Sequence, residues 1–504
     1  MRTKNTFNNI VLSLVNNVLL NVLRFVSRTI FIRCLSSLYL GVNGLLSNVL
    51  GILSLADLGI NTAIGFALYK PLAENDKEKI KSLMAFYKKA YRIIALVVLV
   101  IGLGLLPFLD IFVDNPDGIP HLEIYYLLFL SNTVIGYLFS YMRTLITADQ
   151  KEYEITKIVI GFNLLLTAGQ ILVLIIFKSF FSYLLVQTLT ILLENLIVNR
   201  YITKKYSYLK ESNVKKLDKE SKKSLVVNVK ALLYHKVGSY IVDSTDNLII
   251  SKYVGLVSVG IYSNYYMIIT IFFTFLANAI WSSMSSYGNL NVLESNEKRY
   301  SIYKLINFVA FIFYGVIAIC LYELFNLFVG DIWLGKEYLL SLGTVLIICI
   351  NFFVKGVIHV NDSIRASGGL YDKDKYVAII QAIINIVASL ILVKYYGIAG
   401  VFIGTLISYI VPFIVKPFII YKYMFSKNVI EYFKLMFKQI IVLLIASLIV
   451  SFINSKIYLS SALLLFIVRG TISVVIPLII ILIFYYKDES FEMLKDKIKV
   501  IIKR

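Results

Sequence analysis

The stretch TKKYSYLKESNVKKLDKESKKS, residues 203–224, carries eight lysines and no apolar run long enough to enter a bilayer. On both sides lie sequences of opposite character, such as IALVVLVIGLGLLPFL (94–109), LLLTAGQILVLIIF (164–177) and IIVLLIASLIVSFI (440–453). A membrane span needs roughly 20 mostly apolar residues, and runs of this kind recur along the whole chain. Across its 504 residues the chain is 59% hydrophobic and only 16% charged, with a mean hydropathy of +0.80. These values exclude a soluble protein and identify an all-α polytopic membrane protein, interrupted near its middle by one long basic connection.

Working outward from that connection, fourteen apolar segments are expected. They fall at 9–35, 41–68, 86–107, 122–146, 155–177, 180–202, 225–251, 258–284, 303–326, 340–361, 376–394, 397–420, 435–455 and 459–486. The basic N-terminus MRTKNTF has no small-residue cleavage site after its apolar stretch, so it reads as a retained first helix. Basic residues accumulate in cytoplasmic loops. With the N-terminus inside, 39 of the 50 lysines and arginines lie in the inner connections, and only Lys178, Lys252, Lys336, Lys394 and Lys456 in the outer ones. Adding or deleting one helix midway would destroy this alternation. An even number of spans with both termini cytoplasmic is therefore expected. The formal charge of +20 then follows from orientation, not from nucleic-acid binding.

The chain also echoes itself. FIRCLSSLYLGVNGL (31–45) lies over ISKYVGLVSVGIYSN (250–264) with Gly41 on Gly260, and RTLITADQKEY (143–153) over RASGGLYDKDKY (365–376) with one insertion. The expected organisation is an N-terminal six-helix lobe (1–202), a cytoplasmic linker (203–224), a pseudo-symmetric six-helix lobe (225–420), and two further helices with a basic tail (421–504). Six is even, so both lobes share one orientation, related by an axis along the membrane normal.

Charged residues inside the apolar runs are the candidate functional groups, because intramembrane ionisable residues are costly and mark pathways. In the first segment Ser13, Asn17, Asn21, Arg24 and Arg28 recur at spacings of four and three, one face of a 3.6-residue helix. Arg33 lies off that face near the outer end, where it can snorkel to the headgroups. Lys236, Ser239, Asp243, Asp246 and Asn247 form a comparable stripe in the seventh segment, and the repeat sets Arg24 against Asp243. Asp57 in the second segment could pair with Arg24 or Arg28. Lys355 and His359, one turn apart in the tenth, add a basic spot. A polar cavity lined by both lobes is expected, with structural ion pairing as the competing reading. Glu194, Glu323 and Arg469 lie nearer helix ends and read as structural.

Several motifs carry no chemistry. GDIWLGKE (330–337) has phosphate-loop spacing but Glu337 where Ser or Thr is required, and no preceding strand. Asp110, Asp114 and Asp117 sit in an outer loop too short for a catalytic domain. Cys34, Cys320 and Cys349 lack metal-ligand spacing, and His121, His235 and His359 are scattered, so no metal or other cofactor is expected.

One region resembles a known family. YLGVNGLLSNVLGILSLADLGINTAIGFALYKPLAENDKEKIKSLMAFYKKAYR (39–92), with its ADLGINTAI, LYKPLA and KKAYR elements, is similar to Wzx-type polysaccharide repeat-unit flippases. These belong to the multidrug/oligosaccharidyl-lipid/polysaccharide (MOP) exporter superfamily. IWLGKEY and RASGGLYDKDKY resemble the pattern of its second half. The resemblance implies alternating access around a central cavity and movement of an undecaprenyl-diphosphate oligosaccharide to the outer leaflet for capsule, exopolysaccharide or O-antigen synthesis. It implies transport, not catalysis, and contact with polysaccharide polymerase and glycosyltransferases. It also implies that first-helix arginines, here Arg24 and Arg28, engage the diphosphate. The charges agree, because guanidinium groups grip phosphate in a bidentate fork. Lys236, Lys355 and His359 would extend this site, and Asp57, Asp243 and Asp246 would couple proton or sodium movement. The rival readings are a cation or drug exporter, which calls for an acidic cavity; a peptidoglycan- or teichoic-acid-precursor flippase; and a membrane polymerase, which calls for long outer loops.

Overall fold

The computed structural model describes residues 2–53, 60–112, 119–211, 214–215, 217, 242, 244–293, 295–370 and 373–502. Among them there is no strand. The helices are α1 (Arg2–Cys34), α2 (Ser37–Leu53), α3 (Ile60–Glu74), α4 (Lys77–Leu105), α5 (Leu122–Ala148), α6 (Glu152–Phe177), α7 (Phe180–Lys205) and α8 (Leu256–Leu293), followed by α9 (Asn296–Asn326), α10 (Leu342–Ser367), α11 (Val377–Tyr396), α12 (Ile398–Ile420), α13 (Ile430–Ser455), α14 (Ala462–Tyr485) and α15 (Glu489–Ile502). Residues 244–253 are also helical.

Local chemistry sets the helix ends. The Asp76 side chain accepts from the Lys79 amide at 2.9 Å to start α4. Ser179, Ser295, Ser341 and Ser461 cap α7, α9, α10 and α14 in the same way, each satisfying an amide the helix leaves free. Gly397, at φ +55°, separates α11 from α12.

Among the described residues, eleven helices are long and apolar enough to cross a membrane. They coincide with the third to sixth and eighth to fourteenth expected segments. The first expected segment lies within α1 except for its last residue, Leu35. The second is represented by α2 and α3 on either side of residues 54–59, and most of the seventh falls outside the described residues. The polytopic membrane architecture is therefore established, with eleven candidate spans among the described residues by length and composition.

By contact the chain forms two compact units, Met1–Gly260 and Ile261–Arg504. In the first, α1 packs on α6, α5 on α4 and α7, α6 on α7, and α3 against α4 and α5. Its polar core centres on Tyr87, whose hydroxyl lies 2.9 Å from Asn61 Oδ1 and 3.0 Å from Thr144 Oγ1. Here also the N-terminal turn of α2 meets that of α8. A Cβ on Gly41 would fall 2.0 Å from the Leu256 carbonyl oxygen, and one on Gly260 would fall 2.2 Å from the Ser37 oxygen. The shift of 219 that sets Gly41 on Gly260 also sets Ser37 on Leu256, so the two contacts are reciprocal.

In the second unit α9 is the hub, packed by α10, α14, α13 and α15. Phe308, Phe311, Val316 and Ile319 of α9 meet Val442, Ala446 and Val450 of α13 and Ile480, Ile481 and Tyr485 of α14. The two helices that the repeat leaves over thus have a dedicated apolar seat. α11 and α12 pair closely: Gly400 approaches the Leu392 carbonyl and Gly404 approaches Ser389, while Asn385 donates to Thr405 at 3.0 Å. The GDIWLGKE region continues α9 through a π-helical turn, Leu327–Trp333, into Gly335 at φ +122°, so it is no phosphate loop.

Candidate functional site

α1 reaches the first unit along α6. Asn163 Nδ2 of α6 lies 3.5 Å from Asn16 Oδ1. One face of α1 faces away from this contact, with Val18, Val22 and Val26 exposed. Of the polar stripe expected on α1, Asn17 and Arg24 are exposed, and Asn21 and Arg28 are half-buried.

Arg28 is half-buried within the first unit. It interacts electrostatically with Tyr183 of α7, whose hydroxyl hydrogen-bonds with the side chains of Ser27 and Gln170. Gln170, from α6, is only 5% exposed, so polar groups from three helices meet at Tyr183. The Tyr183 ring is held edge-on by Phe31 (centroids 5.1 Å apart) and stacked on Phe180 (6.1 Å). Arg24 stands one turn towards the N-terminus, at about 6 Å along the axis. The pair thus combines a positioned cation with an accessible one. Arg33 is exposed.

In the second unit Lys355 and His359 of α10 share one aromatic surface. Lys355 Nζ lies 5.2 Å from the Phe273 centroid, and the His359 ring is edge-on to Phe273 at 5.8 Å. His359 Nε2 is 3.4 Å from the Ala277 carbonyl oxygen. One turn further on, Asp362 accepts from Lys416 of α12 and from Arg365 at 3.2 Å. Arg365 also holds Asp374 at 2.5 Å, with both side chains under 10% exposed. Lys355, His359 and Asp362 follow spacings of four and three, so α10 carries a charged stripe like that of α1. That continuation to Asp362 was visible in the spacing. Phe273, Tyr183 and Gln170 gave no comparable signal, because neither an aromatic residue nor a glutamine in an apolar helix stands out before its neighbours are known.

Asp246 is half-buried on the helical residues 244–253. Asp57, Asp243 and Lys236 lie outside the described residues. Glu194, read as structural, pairs with Arg143 at 2.6 Å. Arg365, the repeat counterpart of Arg143, is likewise ion-paired. Glu323 accepts hydrogen bonds from Ser451 and, at 2.9 Å, from Asn454. No group of three or more metal-ligating side chains occurs among the described residues.

Beyond the membrane the start of the 203–224 connection is tied down. Tyr206 donates to Asp149 at 2.6 Å, and burial followed by this bond drives the phenol far above its usual range. Burial beside Asp149 pushes Tyr208 up to about 12. Lys81, 5% exposed, clasps Glu211 at 2.8 Å and Glu78 at 2.5 Å.

Comparison with known proteins accords with this geometry. The family described as polysaccharide biosynthesis protein matches residues 6–285, more than half of the chain. No curated protein sequence matches it. Among solved structures, the lipid II flippase MurJ in an inward closed conformation superposes with a TM-score of 0.62 at 14% identity, covering 93% of this chain and 99% of that one. An inward-facing multidrug resistance MATE transporter of the MOP superfamily gives 0.60 at 15% identity, over 79% and 92%. A mutant of the Vibrio cholerae MATE transporter VcmN gives 0.58 at 13%, over 85% and 98%. At these identities the likeness is one of fold. The Wzx-type resemblance read from residues 39–92 lies inside the matched region. The chain therefore belongs to the polysaccharide biosynthesis protein family, as a polytopic membrane protein that shares its fold with MATE transporter and lipid II flippase structures.

Proposed function

We propose that the protein is a flippase that moves an oligosaccharide repeat unit, linked to a polyprenyl (undecaprenyl) diphosphate, from the inner to the outer leaflet for surface-polysaccharide assembly. The observation that carries this reading is the Arg24/Arg28 pair. It lies on a helix within the family match, one guanidinium set beside Tyr183 and the other exposed. A diphosphate cannot cross hydrocarbon without compensating charge, and two guanidinium groups one turn apart offer paired forks to its oxygens. Lys355 and His359 extend the cationic character into the second lobe, and Lys236 does so on the seventh segment. Such a basic lining opposes the cation-exporter reading.

Fourteen spans in two six-helix bundles plus two, with both termini cytoplasmic, complete the architecture. Its segments are a 1–202 lobe, a 203–224 linker, a 225–420 lobe and a 421–504 extension, working by alternating access. Asp57, Asp243 and Asp246 are the carboxylates for proton or sodium coupling. A peptidoglycan-precursor cargo is the second reading, favoured by the shared fold with a lipid II flippase.

The test is reconstitution into vesicles with labelled sugar-diphosphate-polyprenol. Arg24→Ala and Arg28→Ala should abolish movement, while Arg33→Ala retains most of it. If all three variants flip at the wild-type rate, the headgroup assignment is wrong. Preferential movement of a peptidoglycan precursor over repeat-unit lipid would favour the second reading.

A further inference from the structure

In the second unit, the last helix covers an apolar groove of about 320 Å³. Its walls include Ile312 and Phe313 of α9, Leu478 and Leu482 of α14, and Phe491 and Leu494 of α15. Every lining side chain is apolar. Leu482 and Leu478 lie three and seven residues before the end of α14, so the groove begins about 5–10 Å from that end. This is the depth at which a lipid's chains begin below its headgroup.

The charges near α15 divide into paired and unpaired lysines. Lys304 is held by Glu489 at 2.5 Å, Lys438 by Asp488 at 3.4 Å, and Lys499 by Asp496 at 3.7 Å. The first contact pins the start of α15 to α9, the second ties the residue before α15 to α13, and the third lies within α15; each neutralises the cation it uses. Lys487, Lys495 and Lys497 are exposed and have no ion pair among the described residues, and of these Lys495 is the one next to the lining residue Leu494. It lies four residues beyond Phe491, so on a helix it shares the face that lines the groove. An apolar slot with an uncommitted ammonium above it is complementary to one kind of molecule, a lipid with an anionic head.

We propose that this groove seats one acyl chain of an anionic phospholipid of the leaflet bordering α15, with its phosphate on Lys495. The apolar walls replace neighbouring lipid chains, and the ammonium replaces part of the headgroup's counter-ion atmosphere. The lipid would fasten α15 to α9 and α14 in addition to the Lys304–Glu489 pair. The inference needs only that the chain spans a bilayer, and it is independent of the cargo.

The experiment uses the full-length protein, delipidated in neutral detergent, with thermal unfolding followed on adding phosphatidylglycerol or phosphatidylcholine. A ligand bound only by the folded state raises the unfolding temperature in proportion to the logarithm of its concentration. Phosphatidylglycerol should raise the transition by several degrees more than phosphatidylcholine. Lys495→Gln should remove that difference. Leu482→Trp, at a position already half-exposed, should fill the slot and also remove it. Lys456→Gln, beside Phe452 at 5.8 Å and away from the groove, should keep it. If Leu482→Trp unfolds, native mass spectrometry of the Lys495→Gln and Ile312→Phe variants reads retained phosphatidylglycerol directly. The proposal is overturned if both lipids act equally on the wild type, or if Lys495→Gln retains the full increment. It is also overturned if a polyprenyl phosphate displaces phosphatidylglycerol at lower concentration, which would assign the slot to an isoprenoid chain.

Discussion

The reciprocal glycine contact makes a prediction whose size and sign both follow from the coordinates. An alanine at position 41 would place its Cβ 2.0 Å from the Leu256 carbonyl oxygen, whereas ordinary contact begins near 3.4 Å. The helices must therefore separate by about 1.4 Å at the crossing, the difference between those two distances. The obstacle is backbone, so no rotamer change relieves it. Forced overpacking costs about 1–3 kcal/mol, occasionally more. The separation would also loosen the contacts of Leu40, Val42 and Val259, which are 3%, 0% and 0% exposed. Against this stands the gain of about 0.5–1 kcal/mol when alanine replaces glycine within a helix. The overlap wins, and Gly41→Ala should lower the unfolding temperature measured by size-exclusion or fluorescence thermal scans in detergent. Gly161→Ala is the internal control. Nothing lies within 4 Å of its would-be Cβ, so only the helix-propensity gain remains and the transition should rise or hold. The double variant Gly41→Ala/Gly260→Ala should cost less than the sum of the single changes, because a crossing already opened has room for the second methyl. A Gly41→Ala protein as stable as wild type, or one no worse than Gly161→Ala, would refute the close approach.

Other expectations follow. Arg365→Leu strands Asp374 as a buried, unpaired carboxylate and should destabilise by about 3–5 kcal/mol. Adding Asp374→Leu should recover much of that loss in the same thermal scan. Hydrogen bonding by Lys304 holds the Glu489 carboxyl below its usual 4.5, so this contact contributes fully above the ordinary carboxylate range and is lost as pH falls through the lowered value. Protease cleavage within α15 should therefore be resisted at pH 5 and above and increase in acid, and Glu489→Gln should flatten the dependence. Loss of flipping in Arg24→Ala and Arg28→Ala, with Arg33→Ala largely active, remains the functional expectation and is read by leaflet-specific labelling of the sugar lipid.

Much of the architecture was legible because membranes impose strong one-dimensional rules. Each span must be about 20 apolar residues, and loops must alternate in basic charge, so counting along the chain was enough to place eleven helices near their observed limits. Candidate charges were legible for the same reason. Arg24, Arg28, Lys355 and His359 are conspicuous against hydrocarbon, and their spacings put them on helix faces before any contact was known. Even the repeat could be read, since Gly41 and Gly260 aligned without gaps.

Partnerships were not legible. Arg28 meets Tyr183 across some 155 positions, and Gln170 and Ser27 join only because α1 lies along α6 and touches the start of α7. The hydrophobic pattern says which face of a helix is apolar, not which neighbour covers it. Asp362, Lys416, Arg365 and Asp374 assemble from three separate chain segments, and nothing in the local sequence tells a buried ion pair from a solvated one. That Gly41 and Gly260 meet Leu256 and Ser37 is likewise a property of the crossing. The sequence alone determined that this chain is a bundle of apolar helices with arginines where hydrocarbon should be. Packing decided which groups surround those arginines, because side-chain electrostatics depend on distances that only the folded chain creates.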